Sequence, residues 1–383
     1  MRDKILFVDD DESLLAAYKR QLRKQYQIQT AIGGREALEL IEQDGPYSVI
    51  VSDYRMPFMD GIEFLSRVRA IAPDSVRIML TGSGDMQAAI QAVNEGNIFR
   101  FLTKPCSAEV LTESLNTGIM HYQQVTRERE YNEKTRHSMA QAMEVQQNLI
   151  PKAEPVIEGL DICGQCIYCD ETGGDYYDYL DRGNGNSGKI CVLVGDVSDH
   201  GVSSALLMTS ARAFFRERSL KPGDIASVVA DVNRQLTRDV EMSNRFMTLF
   251  YSEVDARNKQ FRWVRAGHEP AILYDPGTDS FEDLKGRGLP LGVVEDTEYN
   301  ECEVQLSTGQ IIVITTDGIC ESCASDGRMF GKDRLRDKIR ENAARSAKEI
   351  VSALMADFQN FIHPLPQKDD ATLVVIKVED TSS

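Results

Sequence analysis

Between Ser107 and Ile150 the chain runs without a proline and with a single glycine, Gly118, and Pro151 closes the run. So long a stretch without a breaker reads as one helix. It splits the 383-residue chain into two pieces, each of which must bury a core of its own. A 4/3 spacing runs through Leu111, Leu115, Gly118, Tyr122 and Val125, then Arg129, Asn132, Arg136, Met139, Met143, Gln146 and Ile150. That seam is apolar at both ends and polar in the middle. It predicts a dimerising coiled coil that transmits a signal, with a solvated helical linker as the alternative.

The piece before the helix alternates short apolar runs with amphipathic stretches. Ile5 to Val8, Val49 to Val51, Arg77 to Leu80 and Ile98 to Leu102 read as buried strands. Leu14, Leu15, Tyr18 and Leu22, and then Ile62, Leu65 and Val68, mark helical faces. Strand–helix alternation predicts a parallel sheet with helices on both faces. Asp9, Asp10 and Asp11 follow the first strand and Asp53 the second; Thr81 ends the third and Lys104 the fourth. Carboxylates at the C-terminal ends of parallel strands converge in the crevice where such sheets bind ligands. Crowded together they suit a hard cation such as Mg²⁺, and an aspartate so placed is a nucleophile toward phosphate.

The motifs VDDDE, DYRMPFMDG, LTGSGD and FLTKP make residues 1–122 resemble the CheY-like receiver domains of two-component response regulators. The resemblance implies a doubly wound, five-stranded α/β fold. It makes Asp53 the phospho-acceptor and Asp9, Asp10 and Asp53 the Mg²⁺ ligands. Thr81 and Lys104 would hold the phosphoryl group, Phe101 would be the switch aromatic, and Lys104-Pro105 matches a pair that often carries a cis bond. It also implies a sensor histidine kinase as partner.

The piece after the helix holds short β runs at Ile190–Val194, Phe246–Val254, Phe261–Val264, Ile311–Thr315 and Thr372–Val378, with helical stretches near 202–218, 223–240, 332–342 and 347–361. Clustered rather than alternating elements predict an α+β layered domain. Four Asp motifs run through it: ETGGDYYDY, VLVGDVSDHG, VITTDGICE and KDDATLVVI. Acidic residues at strand ends beside glycines can form an all-oxygen site for Mg²⁺ or Mn²⁺, where two ions activate water against a phosphate.

With the landmarks Gln146-xx-Leu149-x-Pro151, HGVSSALLM, RAGHEPAIL and LPLGV, this segment is similar to PPM-type protein serine/threonine phosphatases, closest to the SpoIIE/RsbU-like sporulation and stress-response branch. That resemblance implies a β-sandwich flanked by helices over residues 151–383, after a linker at 123–150. It implies two Mn²⁺ or Mg²⁺ held by Asp175 (directly or through water), Asp196, the Val197 carbonyl, Asp317 and Asp369. His200 falls at a position proposed as general acid, and Gly173 and Gly174 would permit the turn that brings in Asp175. Asp178 and Asp370 read as neighbours of ligands rather than ligands. The implied substrate is a phosphorylated, STAS-type anti-sigma-factor antagonist. Position 199 departs from the pattern: it is Asp where the family carries Gly. The sequence leaves open whether this carboxylate joins or crowds the metal site or faces solvent. If the backbone needs positive φ there, Asp tolerates it at some cost.

A net charge of −17, from 43 basic and 60 acidic residues, disfavours nucleic acid and anionic membrane as partners. The early charges of MRDKILFVDDDE argue against a secretory signal, and eight cysteines without a compact framework suit the reduced cytoplasm. Cys163-xx-Cys166 and Cys320-xx-Cys323 read as small thiols in packed runs, His268 as a turn or core residue, and Trp263 as core. The combined expectation is a cytoplasmic, dimeric response regulator whose phosphorylation at Asp53 controls a metal-dependent phosphatase. The alternative is an adaptor whose C-terminal domain only binds a sigma-regulatory partner, a reading that rests on Asp199.

Overall fold

The computed structural model describes residues 3–82, 98–182 and 188–380. It contains two compact units, Met1–Arg136 and His137–Ser383.

The first unit is built on five parallel strands: β1 (Lys4–Asp9), β2 (Gln27–Ile32), β3 (Val49–Asp53), β4 (Val76–Gly82) and β5 (Arg100–Lys104), in the order β2-β1-β3-β4-β5. Sheets covered on both faces need strands apolar on both faces. β1, β3 and β4 comply, and alternate residues serve opposite cores. Ile5, Phe7, Val49, Val51 and Ile78 pack against α1 (Glu12–Leu22) and the start of α4 (Ala108–Gln147). Leu6, Val8, Ile50 and Met79 pack with residues of α2 (Gly34–Asp44) and α3 (Gly61–Ile71). Side chains of Asp11 and Asp60 cap α1 and α3, accepting the N–H groups of Ser13 (2.9 Å) and Glu63 (2.8 Å). Asp11 is thus spent on a helix start, which separates it from its two neighbours in DDD.

This is the receiver fold. β2 is absent from the sequence reading because only Ile28 and Ala31 of QIQTAI are buried, as befits an edge strand. The apolar run at 98–102 becomes a strand at Arg100–Lys104, with Ile98 buried ahead of it. Helix α4 begins inside this core: Leu111, Leu115 and Ile119 are buried in it, and a Cβ on Gly118 would meet Val76 and Val49 at 3.1 and 3.2 Å. The first turns of the predicted coiled-coil seam are therefore already occupied by the receiver sheet.

The second unit stacks two antiparallel five-stranded sheets between helical layers. One sheet has the order β13-β10-β9-β8-β7, from β7 (Tyr176–Leu180), β8 (Lys189–Val197), β9 (Met247–Asp255), β10 (Gln260–Ala266) and β13 (Cys302–Gln305). The other is β12-β11-β14-β15-β6, from β6 (Leu160–Ile167), β11 (Ala271–Asp275), β12 (Ser280–Leu284), β14 (Ile311–Thr315) and β15 (Ala371–Val378). Val192, Val194, Phe250 and Phe261 of one sheet meet Leu273, Ile312, Val374 and Ile376 of the other. The outer faces are covered by α5 (Val202–Ser219) with α6 (Ile225–Val240), and by α8 (Gly331–Asn342) with α9 (Ala347–Ile362). Val228, Val229, Val232 and Leu236 line one stripe of α6, each worth about 1.5–3 kcal/mol of burial. α7 (Asp317–Cys320) is a single turn at the end of β14. This is the β-sandwich flanked by helices that the PPM-type resemblance implies.

All eight cysteines are free thiols. Cys163 and Cys320 are buried in the core beneath α9, and Cys323 is exposed. Among the described residues no helix is long and apolar enough to cross a membrane.

Candidate functional site

In the first unit, β1 and β3 are the strands between which the order reverses, and their C-terminal residues are Asp9 and Asp53. Both carboxylates are buried, Asp10 beside them is exposed, and one oxygen from each of the three lies within 4.8 Å of the others. Backbone N–H groups fix the rotamers: that of Asp11 donates to Asp9 (3.0 Å) and that of Arg55 to Asp53 (2.9 Å). The Lys104 ammonium bridges Asp9 and Asp53 at 2.7 and 2.5 Å. Burial alone would lower its pKa; hydrogen bonds and charge from Asp53 and Asp9 outweigh that and raise it. An all-oxygen trio with a fixed ammonium fits a Mg²⁺ ion beside an oxygen nucleophile. Thr81 is fully buried at the end of β4, and Phe101 is half-buried against the α2–α3 side of the core. Of LTGSGD, residues 83–85 lie outside the described residues. The Lys104–Pro105 bond is cis. Gly61, at the start of α3, is obligatory: a Cβ there would stand 2.1 Å from the Asp53 carbonyl oxygen.

In the second unit the four Asp motifs meet at one end of the sandwich. Asp196 is the penultimate residue of β8, paired across to Thr248. Asp317 opens α7, directly after β14, and Asp369 precedes β15. Asp175 precedes β7 and is buried. Its Oδ2 accepts hydroxyl hydrogens from Thr316 (2.8 Å) and Thr372 (2.6 Å). The Thr316 hydroxyl in turn accepts the Thr372 N–H (3.0 Å), so the residue ahead of α7 is committed to Asp175 rather than to capping.

The electrostatics are those of crowded anions. The Asp196 carboxyl is pushed up to about 8, by burial first and then by Asp317, Asp369 and Asp370. Burial, then Asp196 and Asp370, push Asp175 far up. Asp317 is raised by burial and by Asp369. Burial raises Asp369 as well, the charge of Asp370 adding to it against a backbone hydrogen bond that lowers it. Among the described residues, no basic side chain forms an ion pair with any of these four. Asp196, Asp317 and Asp369 do not close as a trio within 4.8 Å, a wider spacing than in the receiver. An all-oxygen, mutually repelling set fits hard divalent cations.

The surrounding residues have separate tasks. Asp370 is buried and accepts three backbone N–H groups, from Cys169 (2.9 Å), Gly174 (2.7 Å) and Asp175 (3.3 Å). Asp178 faces away, in a bidentate pair with Arg216 (both 2.7 Å) and a hydrogen bond from the Tyr176 hydroxyl (2.6 Å). Gly173 and Gly174 matter for space, not for turn freedom, since neither has positive φ. A Cβ would meet Asp370 Oδ2 at 2.1 Å from Gly173 and the Val197 carbonyl oxygen at 2.6 Å from Gly174. A Cβ on Gly318 would lie 1.9 Å from the Asp370 carbonyl oxygen.

Asp199 has φ of 63°, the conformation for which glycine is the usual choice. Its side chain is 73% exposed and pairs with Arg245 (3.2 Å), so it faces solvent and does not join the metal cluster. His200 is exposed, its Nδ1 2.6 Å from Asp170 Oδ2. His268 is buried with Nδ1 on the Thr248 hydroxyl (2.8 Å), and burial, then Arg265, hold it down at about 3.

Sequence reasoning missed what Gln146 does. Its amide donates to the Gly173 carbonyl (2.6 Å) and accepts the Gly173 N–H (3.1 Å), so the last turn of α4 grips the loop carrying Asp175. The spacing of Gln146 from Pro151 was visible, but its partner lies 27 residues away.

Residues 186–379, half of the chain, match the family model of Stage II sporulation protein E (SpoIIE). The chain belongs to the SpoIIE family. Ahead of the SpoIIE domain, residues 5–116 match the response regulator receiver domain. Phosphoserine phosphatase RsbU of Bacillus subtilis is 29% identical over 280 residues, covering 71% of this chain and 79% of that protein. Phosphoserine phosphatase RsbP of Bacillus subtilis is 25% identical over 250 residues, covering 64% and 59%. The SiaA-PP2C domain of Pseudomonas aeruginosa shares the fold, with a TM-score of 0.57 and 24% identity over 65% of this chain and 99% of that one. The chain is thus a receiver fused to an RsbU-like, SpoIIE-type phosphatase domain.

Proposed function

We propose that this protein is a cytoplasmic response regulator in which phosphorylation of Asp53 by a sensor histidine kinase controls a metal-dependent phosphoserine/phosphothreonine phosphatase. The substrate class is a phosphorylated, STAS-type anti-sigma-factor antagonist. The receiver occupies 1–122, a helical linker 123–150 and the phosphatase 151–383. The observation that carries the reading is the convergence of Asp196, Asp317 and Asp369 beside a buried Asp175, on the same chain as the Asp9–Asp10–Asp53–Lys104 cluster.

In the receiver, Asp53 attacks the donor phosphorus. Asp9 and Asp10 would hold Mg²⁺, Lys104 neutralises the transferred oxygens, and Thr81 and Phe101 read the new charge. In the phosphatase, Asp196, Asp317, Asp369 and the Val197 carbonyl would hold two Mn²⁺ or Mg²⁺ ions, with Asp175 as a further ligand, direct or through water. When bound, the ions supply an activated water and neutralise the phosphate. Asp370 and Gln146 fix the loop that positions Asp175. His200 would return a proton to the leaving oxygen of the substrate side chain.

Control travels through α4. Its exposed apolar residues Tyr131 (71% exposed) and Val145 (63%) favour a homodimer along the helix beyond the receiver core, and Gln146 at its end touches the catalytic loop. Asp199 no longer favours the adaptor reading, because its conformation and its Arg245 partner account for it.

The test is Mn²⁺-dependent hydrolysis of para-nitrophenyl phosphate by the full chain, with and without beryllofluoride on Asp53. Activity that needs Mn²⁺, disappears in Asp196→Ala and Asp317→Ala, and changes with beryllofluoride supports the reading. A folded, metal-loaded protein inert in every state would falsify it.

A further inference from the structure

Beside the catalytic carboxylates is a second group of ligating side chains, of different chemistry. Cys169 lies in the loop after β6, and Asp170 follows it. His200 comes from the loop after β8, between two residues of positive φ, Asp199 and Gly201. One ligating atom from each of the three lies within 4.8 Å of the others. The backbone under this group is fixed, since the Cys169 N–H donates to buried Asp370. Asp170 and His200 are already joined by their 2.6 Å hydrogen bond, and both are solvent-exposed, while the thiol is half-buried.

A thiol, an imidazole and a carboxylate make a poor site for Mg²⁺ or Mn²⁺, which want oxygen alone. They make a good one for a borderline-soft ion, which takes S, N and O ligands at about 2.0–2.3 Å in a tetrahedron and can leave the fourth position to solvent. We propose that Cys169, Asp170 and His200 form a binding site for a soft divalent transition-metal ion of the Zn²⁺ class, separate from the catalytic pair. Binding replaces the proton shared by Asp170 and His200 and releases the thiol proton to solvent. A consequence, resting on the role given to His200 above, is that the bound ion takes the imidazole out of catalysis and inhibits the phosphatase.

The experiment uses the full chain with excess Mn²⁺ present and Co²⁺ as the spectroscopic probe, followed by Zn²⁺ competition. The wild type is expected to show a thiolate-to-cobalt charge-transfer band that Zn²⁺ abolishes. The band should vanish in Cys169→Ser, weaken in Asp170→Asn and persist in Asp317→Asn, whose lesion is in the catalytic cluster. Zn²⁺ affinity should fall by more than about tenfold in Cys169→Ser. A wild type without the band, or a band retained in Cys169→Ser, overturns the site. Inhibition is read separately: Zn²⁺ should slow Mn²⁺-dependent hydrolysis in wild type and not in Cys169→Ser. A band without any phosphatase activity leaves the metal site standing and removes the functional reading.

Discussion

Replacing Asp370 should damage the phosphatase unit more than replacing any of the metal-site aspartates. The carboxylate accepts backbone hydrogens from Cys169, Gly174 and Asp175 in a buried position. Hydrogen bonds to a charged acceptor contribute about 1.5–3 kcal/mol each. The 3.3 Å contact to Asp175 is the weakest, so the other two set a range of about 3–6 kcal/mol. Two effects reduce it. Water can enter the space left by the carboxylate, and losing a negative charge eases the repulsion on Asp175 and Asp196. The expected loss for Asp370→Ala is about 3–4 kcal/mol. Asp370→Asn keeps one acceptor oxygen, and with it either the Cys169 contact or the Gly174 and Asp175 pair, so about half of that loss is expected. The assay is urea unfolding of the full chain followed by tryptophan fluorescence. Trp263 is the only tryptophan and is buried between the two sheets, so it reports this unit without the receiver. Metal-free buffer keeps ion binding out of the comparison. An Ala variant within about 1 kcal/mol of wild type at unchanged slope would refute the clamp.

Further outcomes follow from other residues. Gly318→Ala places a methyl 1.9 Å from a backbone oxygen, and overpacking of that kind should cost about 3 kcal/mol in the same fluorescence assay. His268, held at about 3, stays neutral in the fold, whereas the unfolded residue titrates near 6.5. Its share of stability is complete above about 6.5, is lost as pH falls, and levels off below about 3; His268→Asn should remove up to about 1.4 kcal/mol per pH unit from the slope. Gln146→Ala breaks both bonds to Gly173 and should lower hydrolysis by about tenfold to a hundredfold while the Trp263 transition remains cooperative. With acetyl phosphate and Mg²⁺, Asp53→Ala should take up no phosphate, as read by the intact-protein mass.

The sequence carried the parallel sheet and the sandwich because their central strands are continuous apolar runs such as ILFV and CVLVG. It was silent where burial is one-sided. β2, an edge strand, buries only Ile28 and Ala31 of its six residues, and β6 hid behind its cysteines, its run LDICGQCI reading as a thiol motif. Carboxylates at strand ends were legible as a set, because several acids after apolar runs have few other purposes. Their division of labour was legible only in part. Asp370 differs from Asp369 through three N–H groups some two hundred residues upstream, and Asp170 meets His200 through loop geometry. The glycines were noticed for the wrong reason, since what they supply at 173 and 174 is room.

The grip of Gln146 on Gly173 also has an evolutionary side. The residue sits on an uninterrupted helix that starts at Ala108 in the receiver core. Each residue inserted into that helix turns everything beyond it by about 100° and advances it by about 1.5 Å. An insertion ahead of Gln146 carries the amide and the Gly173 loop together, because both lie beyond it, so the grip is kept. Length changes among relatives that keep this grip should therefore fall ahead of Gln146 and not between Gln146 and Pro151, where one added residue would turn the amide off the loop.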